Sequence, residues 1–137
     1  NVLFSILIIL GFIFAFMVKN QLTKEQLKIL KDKGTEPAFS GKLLYNEEDG
    51  NYKCVGCDNI LFSSKTKFDS GSGWPSFSEF DNLKSIKTKT DFSYGMIRKE
   101  VVCYNCDGHL GHVFDDGPTE TRKRYCINSA ILKFEKK

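Results

Sequence analysis

"RKRYCINSAILKF", residues 122–134, carries the aromatic and β-branched side chains of a strand, with a single cysteine in it. In an extended chain, residues two apart share a face. Arg124, Cys126 and Asn128 therefore point one way, and Tyr125, Ile127 and Ser129 the other. "YGMIRKEVVCYN" (94–105) reads as a second strand, and "EEDGNYKCV" (47–55) as a turn feeding a third. Glycine and proline punctuate the short apolar runs of residues 34–54. This rhythm predicts a mainly β fold built from antiparallel strands rather than parallel βαβ units. Residues 81–93, "DNLKSIKTKTDFS", are polar and read as a surface excursion.

One helix is expected, over "LTKEQLKILKDKG" (22–34). Thr23 and Gln26 have capping-box spacing, and Leu22 with Leu27 fits a hydrophobic staple. Leu27 and Leu30 should lie on its packed side, and Gly34 should cap its end.

Ahead of that helix, residues 2–18, "VLFSILIILGFIFAFMV", hold no charge and one hydroxyl. At ~1.5 Å rise this segment spans about 25 Å, the short end for a membrane helix. The chain thus divides into a hydrophobic segment, 1–19, and a single domain, 20–137. The segment is expected to be an uncleaved single-pass membrane anchor. The alternative is a cleaved signal peptide, with a periplasmic or secreted product, although no small-x-small cleavage site is evident. Lys19, Lys24, Lys28, Lys31 and Lys33 favour a cytoplasmic domain weakly, and the side stays open. The net charge is +3, with 20 basic residues interleaved among 17 acidic ones. That pattern argues against a nucleic-acid surface.

Four of the five cysteines form two Cys-x-x-Cys pairs, "CVGC" (54–57) and "CYNC" (103–106). Each spacing lets two thiolates reach one ion, and two such turns complete the tetrahedral sulfur shell zinc favours. The separation between the pairs exceeds that of a zinc ribbon, so a domain must fold between them. Disulfides or a redox pair are the main alternatives, and an iron–sulfur centre would use the same ligand type. Since Cys54, Cys57, Cys103 and Cys106 suffice, the nearby His109 and His112 are spare. A closed site of this kind is a structural staple.

Cys126 stands alone. A guanidinium from Arg124 beside it favours the thiolate, the nucleophilic form, and Asn128 has an amide to offer the sulfur or a substrate. The bland reading is a small buried hydrophobe. Trp74, the only tryptophan, sits in a glycine-serine loop, "FDSGSGWPSF" (68–77), and is as readily core as contact. "HLGHVFDDGP" (109–118) brings two imidazoles and two carboxylates, though its end can simply form a turn.

Taken in order, "GTEPAFSG", both Cys-x-x-Cys pairs, "FDSGSGWPSF", "HLGHVFDDGP" and "RYCINSA" resemble the type B methionine sulfoxide reductases. The resemblance runs from about Thr23 to Phe134 and leaves the apolar segment outside. It implies two small antiparallel sheets forming a β core, with structural zinc opposite an active site. It further implies reduction of methionine-R-sulfoxide, protein-bound by expectation, by attack of the Cys126 thiolate on the sulfoxide sulfur. Trp74 matches the residue that packs on the substrate methyl group. His109 and His112 match imidazoles lining the pocket that orient the sulfoxide and help protonate its oxygen. Asp116 and Arg124 match the polar pair that tunes the nucleophile, and Asn128 the amide near it. With the imidazoles, Arg124 should depress the Cys126 pKa.

One departure stands out. Many relatives carry a resolving cysteine where this chain has Ser72, and serine cannot form the disulfide. The sulfenic acid on Cys126 is therefore expected to pass directly to an external thiol, thioredoxin or a small one. Oxidised proteins or peptides are the expected substrates, and a monomer the expected state. The competing class is a zinc-stabilised binding module without catalysis.

Overall fold

The computed structural model describes residues 18–137. One helix, α1 (Lys24–Asp32), precedes nine strands: β1 (Gly50–Cys54), β2 (Ile60–Ser63), β3 (Lys67–Phe68), β4 (Ser76–Phe77), β5 (Ile86–Asp91), β6 (Arg98–Cys103), β7 (His109–Phe114), β8 (Arg124–Ile127) and β9 (Leu132–Lys136). They form two sheets, β2-β1-β9 and β3-β4-β8-β7-β6-β5, and every strand pair is antiparallel.

Residues 122–134 are two strands rather than one. A 3₁₀ turn at Ser129–Ile131 separates β8 from β9 and passes the chain from the larger sheet to the smaller. Strand β8 keeps the predicted alternation: Tyr125 and Ile127 are buried, whereas Arg124 and Cys126 are partly open. The buried face meets an aromatic cluster that glues the sheets together. Phe62 of β2 stacks on Phe77 of β4 at 4.3 Å, and Tyr52 of β1 meets Phe77 at 5.1 Å. Tyr125 tilts against Phe62 at 5.8 Å. Aromatic pairs of this kind supply large buried areas and a preferred mutual orientation. Because Tyr125 is anchored inward, the pleat turns Cys126 outward.

Residues 81–93 are not a surface excursion. Six of them form β5, an edge strand paired along its length with β6. Its middle residues face solvent and read as polar, while Ile86 and Asp91 at its ends are buried.

The helix has the predicted capping box between Thr23 and Gln26. It buries Ile29 and Leu30, and Leu27 is 42% exposed, so the packed stripe is offset from the predicted one. The left-handed residue at its end is Lys33, with φ 57°, one position before the predicted glycine. Gly34 then donates to the Lys28 carbonyl at 3.1 Å.

Among the described residues, no helix is long and apolar enough to cross a membrane. The predicted anchor or signal segment falls outside the described residues except at Val18, which packs against the core. Next to it, the Lys19 and Asn20 amides donate to the Gly56 carbonyl at 3.0 and 3.1 Å.

Candidate active site and cysteine cluster

The two Cys-x-x-Cys turns have the same backbone. Cys54 ends β1 and Cys103 ends β6. Asp58 and Asp107 each donate an amide back to the first cysteine's carbonyl at 2.9 Å, and each adopts positive φ, 64° and 61°. All four sulfurs lie within 4.8 Å of one another, and all four residues are buried. Cys54 and Cys106 sulfurs are 3.8 Å apart, and those of Cys57 and Cys103 are 3.5 Å apart. A tetrahedron of ~2.3 Å metal–sulfur bonds has edges of about 3.8 Å. The donor set and spacing therefore fit a metal ion, and four thiolates this close require a cation to ionise together. One pair belongs to the smaller sheet and the other to the larger, so an ion here clips the sheets together.

The second site lies elsewhere on the larger sheet. Arg98, at the start of β6, lines a cleft, whereas Cys103 at its end belongs to the four-cysteine cluster. Five residues of strand at ~3.3 Å separate them by roughly 16 Å. The cleft measures about 240 Å³.

Cys126 stands at its centre through strand register. It is directly opposite His112 of β7 on one side and Ser76 of β4 on the other. Gly111 makes the β7–β8 approach possible, since a Cβ there would collide with the Cys126 carbonyl oxygen. The lining also includes Trp74, Ser72, Arg124 and Asn128 from the predicted set, together with Thr35, Arg98 and Phe114. The glycine-serine loop reaches it on two left-handed glycines, Gly71 and Gly73, with φ of 72° and 96°.

Individual placements differ from the sequence reading at four points. His109 does not line the cleft; it is 2% exposed, with its ring 5.4 Å from that of His112. Its Nδ1 pairs with Glu100 at 2.6 Å, its Nε2 has no partner, and burial pushes its pKa down. It lies beside His112, and burial disfavours its protonated form. A register shift between β6 and β7 keeps both imidazoles on one face, since Glu100 is opposite His112 and Val102, two residues on, is opposite His109. His109 lies at the start of β7, which packs against α1.

Asn128 is committed to backbone. Its Nδ2 donates to the Leu110 carbonyl at 3.0 Å, and its Oδ1 accepts from the Glu36 amide at 2.9 Å. Asp116 is exposed and does not line the cleft. It accepts from Arg124 Nε and a terminal nitrogen at 2.8 and 3.2 Å. This fork, with the Phe114 ring 4.5 Å from the guanidinium, holds Arg124 beside the thiol.

The predicted depression of the Cys126 pKa does not hold. Burial pushes the thiol up, outweighing the hydrogen bond with Ser72 and the field of Arg124, which pull it down. Sequence reasoning counted the guanidinium and left out desolvation, which disfavours any thiolate facing a half-closed cleft.

The sequence reading also missed Asp91. Its Oδ2 lies 2.8 Å from His112 Nε2, leaving Nδ1 as the uncommitted ring nitrogen. His112, followed by the Ser93 amide, holds the Asp91 carboxyl well below the usual range. Arg98 and Lys33 add cations at 3.6 and 3.5 Å. A buried aspartate ending a polar strand was the available signal, and reading residues 81–93 as loop hid it.

With this geometry in view, comparison with known proteins is direct. The SelR domain family matches residues 22–136. The chain is 54% identical over 118 residues to "Peptide methionine sulfoxide reductase MsrB" of Leptospira interrogans serogroup Icterohaemorrhagiae serovar Lai (strain 56601), covering 86% of this chain and 90% of that protein. It is 56% identical over 117 residues to the protein of the same name from Methanosarcina barkeri (strain Fusaro / DSM 804), covering 85% and 82%. The chain belongs to the SelR-domain family of methionine sulfoxide reductases.

Proposed function

We propose that the protein reduces methionine-R-sulfoxide in oxidised peptides and proteins, with Cys126 as nucleophile. The carrying observation is the convergence, in one 240 Å³ cleft, of an accessible thiol, an imidazole backed by a carboxylate, and the only indole of the chain. The family membership and the relatives' names support the reaction class.

The Cys126 sulfur attacks the sulfoxide sulfur, and the S–O bond breaks. Oxygen transfers to the cysteine as sulfenic acid, and the thioether leaves. The thiol sulfur is thereby oxidised by two electrons and the substrate sulfur reduced by two. Such displacement needs a proton on oxygen as the bond breaks. His112 supplies it, its ring oriented by Asp91 at 2.8 Å from Nε2 so that Nδ1 is left free. A thiol held neutral at rest suits this chemistry: its own proton passes to the imidazole as substrate displaces water. Arg124 then faces the developing thiolate. Trp74 packs on the substrate methyl group. His109 and Glu100 support His112 from beside it, and Asn128 fixes the backbone after Cys126.

Ser72 leaves the sulfenic acid without an internal partner. An external thiol, thioredoxin or a small thiol, condenses with it, losing water, and a second thiol completes the return to Cys126. Cys54, Cys57, Cys103 and Cys106 would hold a zinc ion, which with four sulfur ligands would serve stability rather than chemistry. The protein works as a monomer, and the apolar segment 2–18 anchors it to a membrane.

The decisive experiment is turnover of a methionine-R-sulfoxide peptide with dithiothreitol as donor. Cys126→Ser should abolish it while metal content is unchanged; equal activity in that variant refutes the mechanism. Protease shaving of fractionated cells tests the anchor, which a wholly soluble product would refute.

A further inference from the structure

Glu36 does not line the cleft, yet its backbone amide and carbonyl each hold a residue that does. Its amide donates to Asn128 Oδ1 at 2.9 Å, and its carbonyl accepts from Trp74 Nε1 at 3.0 Å. Its side chain turns away and accepts from the Ala130 amide at 2.7 Å through Oε1. The residue is 3% exposed, and Oε2 is buried without a partner. Gly41 leaves the space it occupies, since a Cβ there would come within 2.7 Å of Oε2. Ala130 is gripped from its other side by Gln26, whose Nε2 donates to the Ala130 carbonyl at 3.1 Å.

Burying a carboxyl with one oxygen unpaired is costly. Desolvation pushes this one up in pKa. Its contacts fall on the segment that follows the nucleophile's strand, at Asn128 and Ala130, and on Trp74 of the glycine-serine loop. The 129–131 turn begins three residues after Cys126, and segment 35–37 carries the acceptor for the only indole.

We propose that Glu36 is a positioning residue for substrate recognition: its carboxyl pins residue 36 to the turn after Cys126, and the backbone of residue 36 then fixes the Trp74 indole and the Asn128 amide. Holding the indole by its N–H removes ring rotation and leaves its faces to receive the substrate methyl group. The effect belongs chiefly to binding, so it should appear in KM more than in kcat. This inference rests on the cleft being the site of sulfoxide reduction.

The test uses the full chain with bound metal. Trp74 is the only tryptophan, so its fluorescence reports indole placement without any turnover. Glu36→Ala should red-shift and broaden the Trp74 emission and raise KM about tenfold, the equivalent of one lost hydrogen bond, with metal content intact. Glu36→Gln keeps an oxygen for the Ala130 amide and should recover most of both losses. In a Trp74→Phe background, Glu36→Ala should add little further to KM. If Glu36→Ala fails to fold, Glu36→Asp, which retracts the carboxyl by one methylene, should show the same emission shift. Unchanged emission and KM in a folded Glu36→Ala or Glu36→Asp variant overturns the proposal. So does a Glu36→Gln variant as impaired as alanine in kcat with normal emission, which would assign the carboxyl to proton transfer. Absence of turnover in the wild type would instead sink the cleft assignment, while the emission shift would still stand or fall separately.

Discussion

The Ser72 hydroxyl oxygen lies 4.0 Å from the Cys126 sulfur, on the glycine-serine loop that closes one side of the cleft. A hydroxyl at this distance can steady a thiolate but cannot form a covalent bond with a sulfenic acid. The position is the one that a resolving thiol would need.

Ser72→Cys should therefore convert the cycle. After one turnover on a sulfoxide peptide without added thiol, the variant should lose two free thiols. Peptide mass mapping should then find the introduced thiol joined to Cys126 by an internal disulfide. The wild type should instead be labelled at Cys126 by dimedone. An internal Cys126 disulfide in most wild-type molecules would contradict direct external reduction.

Alkylation of Cys126 should follow a pH profile displaced upward. Its folded pKa is raised by burial, so at any given pH the thiolate fraction is lower than in a free thiol of pKa about 8.5. Iodoacetamide labelling, read on the Cys126 peptide, should reach half its limiting rate above that value. A midpoint below it would show that Arg124 outweighs desolvation.

Asp91→Asn should reduce kcat roughly 10- to 100-fold, a part of what general acid catalysis contributes. The carboxylate at 2.8 Å from His112 Nε2 holds the ring by a charge-assisted hydrogen bond, which the amide weakens. Metal content and Trp74 emission should be unchanged. A variant with full kcat would remove the imidazole from the proton path.

Disrupting the cysteine cluster should unfold the domain rather than merely slow it. Structural zinc sites contribute about 10 kcal/mol, comparable to the whole stability of a small domain. Cys57→Ser or strong chelation should abolish the cooperative thermal transition, because the clip joins β1 of one sheet to β6 of the other. A chelated protein that keeps its transition and its activity would refute the structural role.

Much of the site was legible along the chain, and the reasons are local. Cysteine pairs announce themselves by spacing, and the outward face of β8 follows from the two-residue repeat of any strand. The capping box at Thr23 and Gln26 needs only the first turn of a helix. The misreadings arose where a distant partner decided the outcome. Residues 81–93 look solvated because one edge of β5 faces water, yet Asp91 is drawn inward by His112, Arg98 and Lys33. His109 and His112 look equivalent in sequence; a register shift in β7 keeps them on one face, and only His112 reaches the cleft while His109 is buried beside it.

The order of residues by itself determined which side chains exist for the chemistry: one unpaired thiol, four paired cysteines spaced for one ion, one indole, and a serine at position 72. What the folded chain alone decided is their electrostatics and support. The Cys126 thiol is raised rather than lowered, His112 is backed by an aspartate from another strand, and Glu36 ties indole to nucleophile. Composition and spacing report covalent capability, but desolvation and hydrogen-bond direction arise only when remote segments exclude water together.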